Sequence, residues 1–161
     1  VNAVIRKAVA SDCKLILKMI RELALFEKML DDVSATEEKL RQQLFGSNPV
    51  AHVLMAEYEG TVCGFALYFY NFSTFLARSG IYLEDLYVQE SMRSYGVGKA
   101  LLTKLAQLAK EENCGRLEWS VLKWNTNAIR FYLKIGAVPL EEWSVYRLDE
   151  SAIAKLASAA D

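Results

Sequence analysis

The stretch Tyr82-Leu-Glu-Asp-Leu-Tyr-Val-Gln-Glu-Ser-Met-Arg-Ser-Tyr-Gly-Val-Gly-Lys-Ala-Leu-Leu102 changes its period midway. From Ile81 to Val88 the residues alternate as in a strand, which puts Tyr82, Glu84 and Leu86 on one side and Leu83, Asp85 and Tyr87 on the other. From Gly98 to about Glu112 the apolar residues Leu101, Leu105 and Leu108 recur at helical spacing, with Lys104, Lys110 and Glu111 elsewhere on the surface. Between the two lies Arg93-x-x-Gly96-x-Gly98-Lys99, a basic, glycine-bearing turn that opens a helix. The first N–H groups of a helix have no partner within it, and its dipole favours an anion there. The glycines allow close approach and Arg93 and Lys99 add positive charge, so the turn reads as a cradle for a pyrophosphate. It is not a P-loop, and Leu101 stands where a dinucleotide fingerprint would have its third glycine. A plain helix start after a glycine turn has the same pattern.

Working outward, Asn113-Cys-Gly115 ends the helix and Arg116 to Leu122 resumes as a strand. Asn125 or Thr126 can cap a short helix through Ile135, closed by Gly136 in the left-handed conformation. Trp143 to Leu148 reads as the last strand, and a terminal helix over Ser151 to Asp161 would have little to bury. On the N-terminal side, Val4 to Val9 is a first strand, and Ser11-Asp12 caps a helix with its stripe at Ile16, Met19, Ile20 and Leu23. An irregular elbow containing Glu27 follows, and Ser34 with Glu37 fits a capping box for a second helix ending near Phe45-Gly46. Ala51 to Tyr58, a Glu59-Gly60 turn and Thr61 to Tyr70 form a hairpin, with a loop from Asn71 to Gly80 before the strand of the opening stretch. The order is βααβββαβαβ. This is an α+β (mixed α/β) chain, a single domain over 1–161, with a central, mostly antiparallel mixed sheet flanked by helices.

The length of 161 residues suits one domain without disulfides or metals. A net charge of −1 supplies no general field for nucleic acid or anionic membrane, so neither is expected as a partner. The most apolar window, Cys63 to Phe72, is far shorter than the roughly 20 residues that span a bilayer, and the N-terminus lacks a signal pattern, which points to the cytoplasm. Cys13, Cys63 and Cys114 form no Cys-x-x-Cys pair, and His52 is the only histidine. Free, inert thiols and no metal are expected, and Ser-His or Cys-His nucleophile schemes are disfavoured.

The turn resembles that of the GCN5-related N-acetyltransferases, Gln/Arg-x-x-Gly-x-Gly/Ala, matched by Arg93, Gly96 and Gly98. Tyr-Leu-Glu-Asp-Leu-Tyr-Val (82–88), Val-Leu-Lys-Trp-Asn (121–125), Ala-Ile-Arg-Phe-Tyr (128–132), Gly136-Ala137 and Glu27 are similar to the spermidine/spermine and thialysine branch. Many members have glycine where this chain has Ser94. The resemblance implies acetyl-CoA as cosubstrate, no metal, and a homodimer. It places the pyrophosphate on the turn Arg93, Ser94, Tyr95, Gly96, Val97, Gly98 and Lys99, and pantetheine along Leu86, Tyr87 and Val88, with an N–H near Leu86 for the oxyanion. Asn125 becomes a polar contact to the cofactor.

An alkyl ammonium titrates near pKa 10.4 and must lose its proton before it attacks a thioester. The resemblance gives that task to Glu84, through a water and together with amine binding, and makes Tyr132 the acid that protonates the departing thiolate. From the residues alone, Glu84 is equally an exposed strand carboxylate, and Tyr132 a core tyrosine on the stripe Ala128, Phe131, Tyr132, Ile135. Glu27, Glu84, Asp85 and Glu142 offer negative charge to a cationic acceptor: a polyamine, a diamine, or a lysine- or thialysine-like amino acid. The expected activity is direct N-acetyl transfer to a small amine; the alternatives are a non-catalytic CoA-binding regulatory module and a protein-lysine acetyltransferase.

Overall fold

A computed structural model describes residues 3–159. The chain divides into two compact units, Val1–Ser120 and Val121–Asp161. In the first, β1 (Val4–Lys7), α1 (Cys13–Phe26), α2 (Glu37–Phe45), β2 (His52–Tyr58), β3 (Thr61–Ser73), β4 (Arg78–Val88), α3 (Val97–Glu111) and β5 (Leu117–Trp119) follow in order. The sheet runs β1-β2-β3-β4-β5, antiparallel throughout except for a short parallel pairing of β5 with β4. The second unit holds α4 (Thr126–Lys134) and α5 (Glu150–Ser158). The fold is α+β, as the sequence implied.

The β2–β3 hairpin turns where Glu59-Gly60 predicts, with both residues at positive φ, 49° and 75°. Such two-residue turns match the twist of the strands they join. On one sheet face, Ile16 and Met19 of α1 meet Met55, Phe65 and Tyr87, all buried. On the other, α3 lays Val97, Leu101 and Leu105 against β3 and β4, its stripe fully out of water. Burial of each such side chain is worth about 1.5–3 kcal/mol, which is why these two helices, and not the weakly amphipathic α2, fix the sheet.

Several expected boundaries move. Asp12 does not cap α1; its carboxylate turns back to accept the Val9 N–H at 2.8 Å and binds Arg6, which in turn holds Glu57. The Arg6 hydrogen bonds hold the Asp12 carboxyl below its ordinary range. Thr36, not Ser34, caps α2, accepting the Lys39 N–H at 3.2 Å. The expected loop over 71–80 is mostly strand: Asn71, Phe72 and Ser73 pair with Gly80, Ser79 and Arg78, leaving only 74–77 as a turn. Pairing satisfies those backbone groups whatever the polarity of the side chains, which is what the composition concealed. The expected strand Arg116–Leu122 keeps only Leu117–Trp119.

The last expected strand does not form: 143–148 has no ladder among the described residues, and Trp143, Val145 and Tyr146 are 79%, 85% and 94% exposed. β propensity reflects packing on a partner more than an intrinsic backbone preference, so composition alone does not make a strand. The order is therefore βααβββαβαα, closed by α5, whose first turn Asp149 caps through the Ala152 N–H at 2.8 Å. Residues 160–161 of the expected terminal helix lie outside the described residues. Asn125 caps α4 by accepting the Ala128 N–H at 3.3 Å, and Gly136 follows that helix at φ 90°, both as expected.

Candidate active site

β4 leaves the sheet through a single helical turn at Glu90–Met92 and reaches α3 by two left-handed residues, Ser94 at φ 68° and Gly96 at φ 85°. Gly96 is the residue before the first turn of α3, and the first bond within the helix runs from the Ala100 N–H to the Gly96 carbonyl at 2.9 Å. The N–H groups of 97–99 therefore project from the helix end. A Cβ added at Gly96 would meet nothing within 4 Å, and one at Gly98 only Val88 Cγ2 at 3.8 Å. A cavity of about 360 Å³ opens beside Gly96, Lys99, Ala100, Thr103 and Lys104. That cavity runs along the side of α3 toward Ile5 of β1, so it is the projecting N–H groups, with the open space at Gly96 and Gly98, that suit an anion such as a diphosphate. Tyr95 is exposed at the same turn.

The strand that feeds this turn is not a regular alternation. Leu67 of β3 faces Asp85 while the next residue, Tyr68, faces Leu83, so Glu84 is the extra residue of a β-bulge. A bulge shifts the phase of the residues beyond it. Tyr82, Asp85 and Tyr87 pair with Phe69, Leu67 and Phe65 and so share the α1 face of the sheet, whereas Leu83 and Leu86 pair with Tyr68 and Ala66 on the other. The expected alternation, with Tyr82, Glu84 and Leu86 on one side and Leu83, Asp85 and Tyr87 on the other, breaks at Glu84: beyond it Asp85 and Tyr87 share the face of Tyr82, and Leu86 that of Leu83. β5 pairs with β4 only from Ile81 to Leu83, so the ladder between these two strands stops short of 84–88.

The bulge turns Asp85 toward the α1 face of the sheet, where the charge of Glu27 reaches it. Burial pushes the Asp85 carboxyl up to about 6, and the charges of Glu84 and Glu27 add to the shift. Burial also raises the Glu27 carboxyl. Glu27 is held by the way α1 ends: its own N–H bonds Leu23, Lys28 N–H bonds Leu25 at 3.1 Å, and Met29 N–H bonds Ala24 at 2.8 Å, with Lys28 left-handed at φ 61°. This is a Schellman closure without its usual glycine. Glu84 itself is exposed.

Arg93 is engaged by its own unit. Its Nε donates to the Val88 carbonyl at 3.0 Å, and its guanidinium lies 4.9 Å from the centre of the Phe26 ring and 5.8 Å from that of Tyr87. Sequence reading missed Phe26 and also Glu22, whose Oε2 accepts the Tyr87 hydroxyl proton at 3.0 Å. Their spacing of four along α1 puts both on one face, a signal visible only once Tyr87 is known to point at that helix. The roomier groove along α1, about 870 Å³, is lined by Lys14, Lys18, Arg21, Glu22, Leu25 and Glu37 among others, and its three cations make it unsuited to a cationic amine. In the second unit, Tyr132 lies on α4 half-buried, its ring 5.5 Å from that of Phe131, Asn125 caps the same helix, and Glu142 is exposed. Among the described residues, no group of three or more His, Cys, Asp or Glu could hold a metal ion, and no helix is long and apolar enough to cross a membrane.

The sequence pattern of the Acetyltransferase (GNAT) family matches residues 2–137. The chain belongs to that family. It is 39% identical to thialysine N-epsilon-acetyltransferase of Sus scrofa, covering 97% of this chain and 98% of that relative. It is 32% identical to L-ornithine N5-acetyltransferase NATA1 of Arabidopsis thaliana, covering 92% and 85%. Among solved structures, an integron cassette protein from the mobile metagenome of V. cholerae superposes with a TM-score of 0.82 at 29% identity, covering 99% of each chain. The chain is an N-acetyltransferase of the branch its motifs resemble.

Proposed function

We propose that the protein transfers an acetyl group from acetyl-CoA directly to the side-chain amine of a small cationic amino acid of the lysine or thialysine type, with diamines and polyamines as lesser acceptors. The observation that carries this reading is the buried Asp85 carboxyl, under the charges of Glu84 and Glu27, on the strand that runs into the anion-ready turn. A buried carboxyl held up by burial and by acidic neighbours is relieved by a bound ammonium. Two relatives whose names give a basic amino acid, thialysine and ornithine, support that class. The chain acts as one N-acetyltransferase domain over 1–161, since the family match runs past residue 120.

Glu27 and Asp85 hold the cationic acceptor, with Glu142 as a later acidic contact. Glu84, the exposed residue of the bulge, takes the ammonium proton through a water, the kind of re-aimed side chain that bulges supply next to active sites. Bound acetyl-CoA supplies a thioester carbon activated toward amines. Arg93, Ser94, Tyr95, Gly96, Val97, Gly98 and Lys99 hold its diphosphate. The backbone of Leu86, Tyr87 and Val88, beyond the end of the β5 ladder, receives pantetheine, with an N–H near Leu86 directed at the developing oxyanion. Asn125 contacts the cofactor, and Tyr132 gives its proton to the departing thiolate. The protein works in the cytoplasm, a reading that rests on the sequence pattern, and as a homodimer, a reading that rests on the family resemblance and that light scattering tests.

The deciding experiment measures CoA thiol release from acetyl-CoA with thialysine, lysine, ornithine, diamines, polyamines and a lysine peptide. Release that depends on thialysine or lysine is expected. Strongest release with a polyamine moves the acceptor class, release with the peptide alone makes it a protein-lysine acetyltransferase, and none with any acceptor leaves a CoA-binding module. Tyr132→Phe is expected to lower kcat by more than about tenfold at unchanged acetyl-CoA affinity. A rate near wild type removes Tyr132 as the acid.

A further inference from the structure

The contacts of Arg93 join the turn to the elbow rather than simply adding charge to a phosphate site. Its Nε is committed to the Val88 carbonyl, and its guanidinium rests on Phe26, the last residue of α1 and the one before Glu27. Its other ring neighbour, Tyr87, is buried, sits two residues beyond Asp85, and is tied to the same helix through the Glu22 hydrogen bond. One guanidinium thus touches the end of the helix that carries Glu27 and the strand that carries Asp85. A cation over an aromatic face is an attraction of useful size when partly desolvated, as here under a half-buried arginine. It bears on a helix end that is costly to hold, since Lys28 is left-handed without being glycine.

We propose that Arg93 is a positioning residue: an anion held at the turn fixes the plane of its guanidinium, and through Phe26 this fixes the end of α1 and with it Glu27. Guanidinium donors other than Nε are the ones an anion engages, and their rigid planar fork transmits orientation in a way that a lysine ammonium cannot. Because coupling between two sites is reciprocal, cofactor binding orders the acceptor acids, and an ordered elbow strengthens cofactor binding by the same factor. The role assigned to Glu27 rests on the amine-binding reading above, whereas the link between the turn and the elbow does not.

Amide hydrogen exchange over residues 24–30, with and without saturating CoA, tests the link without any acceptor. In the wild-type protein, CoA is expected to slow exchange of the Lys28 and Met29 amides by about fivefold, a typical coupling. Phe26→Leu removes the ring, so the slowing should vanish while CoA still binds, and Phe26→Tyr should restore it. Arg93→Lys, which keeps the charge but loses the flat face, should also lose the slowing and covers the case in which Phe26→Leu does not fold. Kinetically, Phe26→Leu should raise the amine KM by about fivefold with kcat changed less than about twofold, taking thialysine as the probe. The link is overturned if CoA binds without slowing 24–30, if the slowing survives in Phe26→Leu, or if that variant exchanges faster by the same factor with and without CoA. Slowing by CoA together with an amine KM indifferent to Glu27→Gln would sink the amine-binding reading and leave the link standing.

Discussion

The two ends of the loaded half of β4 handle charge in opposite ways. At the Glu84 bulge, negative charge is gathered from side chains, and the gathering is unfavourable: Asp85 is held up at about 6 by burial and by its two acidic neighbours. At the turn, positive potential comes chiefly from backbone N–H groups, and the cost is conformational, with Ser94 and Gly96 both left-handed. The acidic end stores electrostatic energy that a cationic ligand releases; the cationic end stores backbone strain that a ligand does not need to release. Mutation should therefore affect the two ends differently, in stability as well as in binding.

The largest effect is expected from Asp85→Asn. A carboxyl whose folded pKa lies near 6 against an ordinary 3.8 binds its proton more tightly when folded, so the stability it allows is fullest below 3.8 and falls as pH rises through 6. Removing the charge should raise stability at pH 7.5 by on the order of 2–3 kcal/mol, with the gain gone by about pH 4, while the amine KM rises. Thermal melts of both proteins across that range check it, and equal melting temperatures at every pH would mean that the acids do not strain one another. Next is Gly96→Ala: nothing crowds the new methyl group, so the cost is that of a left-handed L-residue, about 1–2 kcal/mol, and the acetyl-CoA KM should rise as the turn reshapes. Denaturant melts with acetyl-CoA titrations give both values. Ser94→Gly, the smallest, relieves strain but loosens the unfolded chain, for a net gain of under about 1 kcal/mol and equal or tighter acetyl-CoA binding. A loss of stability in Ser94→Gly would show that the serine side chain holds the turn.

The parts legible in the sequence are those written locally. Glycine positions, the apolar stripe of α3, the Asn125 cap and the Glu59-Gly60 turn each depend on a few neighbouring residues, and each is where its pattern placed it. The bulge was illegible because nothing in Leu-Glu-Asp-Leu marks one residue as extra; that is settled by register against Leu67 and Tyr68, far away in the chain. The same long-range pairing extended β3 and β4 through Asn71 and Ser79, while Trp143–Leu148, equally strand-like in composition, found no partner strand among the described residues. The site follows the same rule: Glu27 and Asp85 are each nameable from the sequence, but the face Asp85 takes depends on the bulge, and the placing of Glu27 on the Schellman end of α1.

The packing of the cysteines carries a consequence for redox chemistry. Cys13 and Cys63 are 0% and 2% exposed, and burial pushes both thiols up, so neither offers a thiolate near neutral pH. Cys114, half-buried with its sulfur 3.8 Å from the Ser79 hydroxyl, is the remaining thiol. Any disulfide that reaches the folded chain therefore meets at most one accessible sulfur. Oxidative damage of the core is thereby confined to events that first unfold it.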